Sequence, residues 1–290
     1  MTTPPVTTRR PFGVRLRAAM DEHGPLCVGI DPHRALLAAW DLPVTVAGLE
    51  HFAMTCVEAF AARVAVVKPQ SAFFEVFGSR GVAVLERVLA DLRDAGTMTI
   101  LDAKRGDIGS TMEAYAQAFL SDDGPGRADA LTVSPYLGYG SLRPALDLAA
   151  ATGRGVFVLA LTSNPEGPEV QHACADGRSV AASVVAGAAA DNAAAAARGE
   201  LGHVGLVVGA TVGDAVSRLG LDLTASAAPL LAPGLGAQGA GPAHLRAVFG
   251  SALGQVLPNV SRSVLSAGPS VTALAGAAAR EAEAVRAAVG

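Results

Sequence analysis

Eight short apolar runs recur along the chain, and each is followed by a stretch patterned as a helix. The runs are LCVGID (26–31), VAVVKP (64–69), TILDAK (99–104), ALTVS (130–134), VFVLALT (156–162), GLVVGA (205–210), PLLAP (229–233) and QVLPNVS (255–261). Helical patterns fill 46–62, 82–95, 110–120, 142–151, 180–199, 213–219, 243–249 and 271–289, with an extra one at 14–23 before the first run. Eight strands alternating with helices predict a single-domain α/β (β/α)8 barrel. The runs are mostly continuous in apolar residues, as parallel strands covered on both faces should be. An open doubly wound sheet would use fewer strands, and no GxGxxG follows the first run.

The chain has 290 residues, 51% of them hydrophobic, ample for one large core. Residues 1–12, MTTPPVTTRRPF, read as a loose tail, leaving 13–290 as the barrel domain. No stretch near the start is apolar enough for a signal peptide, and the alanines of 186–197 are broken by Asp191 and Asn192. Net charge is −4 with no run of Lys or Arg, which argues against nucleic acid or membrane as a partner. Cys27, Cys56 and Cys174 are odd in number and show no CxxC spacing, as expected in the cytoplasm. The six histidines form neither HxH nor HExxH, so no metal site is expected.

Among 22 basic residues only Lys68 and Lys104 are lysines, and both end apolar runs. Arginine cannot readily give up a proton and lysine can, so a chemical reason is favoured for both. Active sites of barrels gather at the C-terminal strand ends. Those ends carry Asp31, Lys68, Asp102 with Lys104, Ser134, Thr162 with Ser163, Pro233 and Arg262.

Asp102 and Lys104 stand two apart on a strand and should share a face, with Asp107 opening the next loop. Carboxylates around a lysine favour its ammonium, which suits a proton donor better than a Schiff-base amine. An ion-pair network that only fixes the barrel rim is the competing reading of DxKxxD. Lys68 alone could be a solvated strand end, Asp31 a turn residue before Pro32, and Ser163 a cap. Later in the chain LAPGLGAQGAG (231–241) surrounds Gln238 with glycines, and Arg262 follows the last strand. Loops after the last two strands of barrels often bind phosphate, through backbone N–H groups and an arginine fork. A phosphorylated small molecule is the expected substrate class.

The block DAKRGDIGST, and the order Asp31, Lys68, Asp102-Lys104-Asp107, Ser163, PGLGAQG and SRS, resemble the orotidine 5′-phosphate decarboxylases, specifically their longer bacterial (type 2) branch. The resemblance implies a barrel homodimer with active sites at its interface, acting on a nucleotide without metal or organic cofactor. It implies that Lys104 protonates C6 of the pyrimidine as CO2 leaves. Asp102 would lie beside the departing carboxylate, and Lys68 would bridge Asp102 and the ribose hydroxyls. Asp31 would hold the ribose, and Ser163 the pyrimidine ring. Asp107 and Thr111 would reach into the partner's site. Pro233 would join the substrate-binding set, and Gln238, from a lid, would grip the phosphate with Arg262. Two features depart from the pattern: Ser261 stands where relatives carry glycine, and 166–178 has no counterpart in shorter members. A metal-dependent sugar-phosphate decarboxylase or synthase of the same barrel group shares DxKxxD and is a second reading. A barrel that only binds uridine 5′-phosphate is a third.

Overall fold

The computed structural model describes residues 9–235 and 241–289. Ten strands occur among them: β1 Cys27–Ile30, β2 Val66–Pro69, β3 Met98–Arg105, β4 Ala130–Val133 and β5 Gly155–Leu161. A two-stranded hairpin follows, β6 Cys174–Ala175 and β7 Arg178–Ser179, and then β8 Val204–Val208, β9 Leu230–Pro233 and β10 Val256–Val260. The eight strands outside the hairpin pair in parallel and close into a barrel in chain order, β10 returning to β1. This is the expected (β/α)8 fold in one domain.

Successive strand residues point to opposite faces, and the core divides accordingly. Cys27, Val66, Ile100, Ala130, Phe157, Val207, Leu231 and Leu257 fill the barrel interior. Their neighbours, such as Val28, Val67, Leu101, Leu131 and Leu206, face outward into the layer of helices. The first helix, Phe12–His23, closes the N-terminal end of the barrel with Phe12, Leu16 and Met20. Phe12 meets Phe157 edge to face at 6.0 Å. Arg9 donates to the carbonyl of Thr152, while the part of the expected tail before it lies outside the described residues. With the bottom plugged, the C-terminal mouth is the open end.

Helix starts follow local capping chemistry. Thr45 accepts from the Gly48 N–H ahead of Val46–Phe60, and Ser179 accepts from the Ala182 N–H ahead of Val180–Ala196. The helix expected at 213–219 contracts to Ala215–Arg218, because Gly213 takes φ = +63°, outside helical geometry. The segment 166–178, unassigned from its pattern, forms a short helix, Gly167–Gln171, and the hairpin.

Candidate active site

The interior alternation carries upward to the mouth. Two residues beyond Cys27, Val66, Ile100, Leu231 and Leu257 stand Gly29, Lys68, Asp102, Pro233 and Asn259, and Asp31 lies two further on from Gly29. The inward direction of the apolar layer therefore aims these polar groups into one cavity of about 590 Å3. Its wall includes Asp31, Lys68, Asp102, Lys104, Ser163 and Arg262.

Asp102 is the hub. Its Oδ2 accepts from Lys68 Nζ at 2.9 Å, and its Oδ1 accepts from Lys104 Nζ at 2.6 Å and from Thr132 Oγ1 at 2.9 Å. Burial alone would raise the Asp102 carboxyl, but Lys68 and Lys104 outweigh it and hold the group well below the usual carboxylate range. Burial would likewise lower Lys68, yet Asp102 and then Asp31 keep its ammonium above the ordinary lysine value. The two lysines differ in access. Lys68 is 4% exposed and Lys104 46%, so Lys68 anchors the carboxylate and Lys104 presents its ammonium to the cavity.

Sequence spacing placed Asp102 and Lys104 on one face of a regular strand. They do meet, but β3 is not regular there. Between Leu101 and Arg105 it carries two more residues than β4 does between Leu131 and Val133. Lys104 sits in this bulge at φ = +48°, its N–H donating to Thr132 Oγ1 at 2.9 Å. The charged knot of 102–107 thus divides. Arg105 turns away from the mouth, pairing with Glu75 and stacking on Tyr115 at 5.6 Å. Asp107 accepts the Ile108 N–H at 2.8 Å.

Asp31, just beyond β1 and next to the β2 strand that carries Lys68, lines the cavity, and its Oδ1 is buried with no hydrogen-bond partner. Ser261 folds over Gly29, where an added Cβ would lie 1.9 Å from Ser261 Oγ, so the bare glycine makes room for the serine. Asn259 Nδ2 donates to the Cys27 carbonyl at 3.1 Å, tying the last strand to the first. Among the described residues no group of three or more His, Cys, Asp or Glu is arranged to hold a metal ion.

A family model described as orotidine 5′-phosphate decarboxylase / HUMPS family matches residues 24–277. The chain belongs to that family. It is 64% identical over 281 residues to the orotidine 5′-phosphate decarboxylase of Streptomyces coelicolor, covering 96% of this chain and 98% of that one. It is 62% identical over 270 residues to the orotidine 5′-phosphate decarboxylase of Salinispora tropica, covering 93% and 95%. A crystal structure of a Streptomyces avermitilis protein matches with a TM-score of 0.93 at 61% identity, covering 100% of this chain and 99% of the other.

Of the residues that the resemblance to the decarboxylases singled out, Asp31, Lys68, Asp102, Lys104, Ser163, Pro233 and Arg262 come together in one cavity. Asp107 and Thr111 do not line it within this chain; Thr111 is exposed on the helix Gly109–Leu120. Gln238 lies outside the described residues. Thr132, which the motifs passed over, holds both Asp102 and the Lys104 backbone. Its signal was parity, since it stands two beyond the interior residue Ala130.

Proposed function

We infer that this chain, a carboxy-lyase converting orotidine 5′-phosphate to uridine 5′-phosphate and CO2, uses the Lys104 ammonium as its proton donor. The bond between C6 and the carboxylate breaks, its electron pair stays on C6, and a Lys104 Nζ proton completes the C6–H bond. The neutral amine then regains a proton from solvent. The observation that carries this reading is the saturation of Asp102: two ammonium groups and one hydroxyl occupy its oxygens, and of the two lysines Lys104 is much the more exposed.

Charge explains why the arrangement suits this reaction. Electron density grows on a ring carbon with no cofactor to receive it, and a pre-oriented ammonium stabilises that density before protonating it. Asp102 fixes the direction of Lys104, and Lys68 keeps Asp102 ionised and immobile. Asp31, a carboxylate on the cavity wall next to Lys68, suits ribose hydroxyls, and Ser163 suits the edge of the pyrimidine ring. Arg262, which lines the same cavity as Pro233 and Gly234, suits the phosphate.

The working unit in this proposal is a cytoplasmic homodimer with shared sites. Ile108, Tyr136 and Leu137 are large apolar side chains that are 61%, 77% and 54% exposed at the ends of neighbouring strands β3 and β4. Asp107 adjoins them, and Thr111 follows one helical turn later. A second copy packed on this face would bury the apolar groups and bring Asp107 and Thr111 to its own mouth. Among the described residues no helix is long and apolar enough to cross a membrane.

The test is turnover. Chelator-treated protein mixed with orotidine 5′-phosphate should lose the orotate chromophore and yield uridine 5′-phosphate. Absence of turnover with tight product binding would overturn the catalytic reading.

A further inference from the structure

We propose that Gln171, in the segment 166–178 that lacks a counterpart in shorter family members, is a positioning residue acting through Thr162 on Ser163. The inference rests on the reading above, in which Ser163 meets the pyrimidine ring.

Strand β5 ends at Leu161, and Thr162, Ser163 and Asn164 then form part of the cavity wall. Gln171, at the end of the short helix, is half-buried and does not line the cavity itself. Its amide grips one residue twice. Oε1 accepts from the Thr162 N–H at 2.8 Å, and Nε2 donates to Thr162 Oγ1 at 2.6 Å.

The orientation of this amide is fixed by chemistry, because a backbone N–H can only donate and must face Oε1. Thr162 Oγ1, already accepting, sends its single proton to Asn164 Oδ1 at 2.6 Å. Asn164 Nδ2 is thereby directed to Glu166 Oε2 at 3.0 Å. Gln171 thus orders the protons along the whole wall segment, from Thr162 to Glu166.

Two glycines leave room for this brace. At Gly167 an added Cβ would lie 3.0 Å from Thr162 Oγ1 and 3.2 Å from Gln171 Oε1, tight enough to force the pair apart. At Gly209, just beyond β8, an added Cβ would lie 3.2 Å from both the nitrogen and the Cβ of Ser163. The Gly209 N–H also donates to the Leu161 carbonyl at 2.9 Å. Ser163 is therefore held between the end of a neighbouring strand on one side and the Thr162–Gln171 clamp on the other. The segment 166–178 supplies the second support, which the barrel strands cannot reach.

The role is specific to the ring end of the ligand. Asp31 and Arg262, expected at the ribose and the phosphate, have no hydrogen bond to the clamp. The experiment therefore compares two probes, uridine 5′-phosphate and ribose 5-phosphate, which share the sugar phosphate and differ in the ring. Gln171→Leu keeps the bulk and removes both hydrogen bonds. It should weaken uridine 5′-phosphate and lower kcat/KM by about tenfold, while ribose 5-phosphate binds as it does to the wild type. Gln171→Glu retains an acceptor for the Thr162 N–H and should recover part of the loss. Thr162→Val, which keeps shape but removes the hydroxyl, should reproduce the ring-selective loss and decides the matter if Gln171→Leu does not fold. Equal weakening of both probes, or of neither, would overturn the proposal. Wild-type protein without decarboxylase turnover would instead overturn the underlying reading of the site, while the two-probe comparison would still report on the clamp.

Discussion

Lys104 donates to Asp102 Oδ1 at 2.6 Å from a backbone turned into the left-handed region, φ = +48°. Such a conformation costs a non-glycine residue about 1 kcal/mol or more, and it falls here on the residue proposed as the proton donor. The bulge takes Lys104 out of the regular pairing between Leu101 and Arg105, while its ammonium bends back to the carboxylate.

Removing the ammonium should separate binding from turnover. Lys104→Ala is expected to lower kcat by at least about 10^3-fold, with uridine 5′-phosphate affinity changed far less. Steady-state kinetics and product titration check this. Survival of most of the turnover would remove Lys104 from the role of proton donor.

The strain predicts a stability effect in the opposite sense. Lys104→Gly should be as inactive as Lys104→Ala yet more stable by about 1 kcal/mol, because glycine accepts positive φ without a Cβ clash. Chemical denaturation of the two variants side by side measures the difference. A less stable glycine variant would contradict the strained geometry.

Breaking the hub should expose the cost of burying Lys68. In Asp102→Asn a 4% exposed ammonium loses its carboxylate, at an expected cost of about 3–5 kcal/mol along with turnover. The pH dependence follows from the shifts. The Asp102 carboxyl lies below its ordinary value of 3.8, so its contribution is full above that value and is lost as pH falls through the lowered one. Lys68 lies above its ordinary value of 10.5, so its contribution is full below that value and is lost as pH climbs further. Denaturation midpoints across this range should show the alkaline loss in wild type and its absence in Asp102→Asn.

Site sharing can be read from mixed subunits. Lys104→Ala and Asp107→Ala homodimers should each be inactive. After subunit exchange, heterodimers with one intact site should restore up to about a quarter of wild-type activity. Exchange without recovery would place Asp107 outside the partner's site.

Thiol chemistry offers a check on burial. Cys174 is exposed, while burial pushes the Cys27 thiol up to about 12 and Cys56 well above its ordinary value. An aromatic disulfide reagent should therefore modify Cys174 in the native protein and reach the other two after unfolding. Fast labelling of Cys27 would show an open barrel interior.

The alternation of apolar runs and helical patterns determined the barrel, and the C-terminal ends of its strands determined which polar residues gather at its mouth. Both are properties carried by neighbours in the chain, so Asp31, Lys68, Asp102, Pro233 and Arg262 could be gathered from their positions alone. What the three-dimensional arrangement decided is how these groups divide the work. Lys68 is buried in the regular strand β2, whereas Lys104 stands exposed where β3 bulges against β4, a mismatch in residue count between two strands that neither strand shows by itself. Thr132 completes Asp102 from across that ladder, and Gln171 reaches Thr162 from a helix with no periodic signal. Hydrogen bonds between residues far apart in sequence depend on distances of a few ångströms set by packing, and linear spacing carries no record of them.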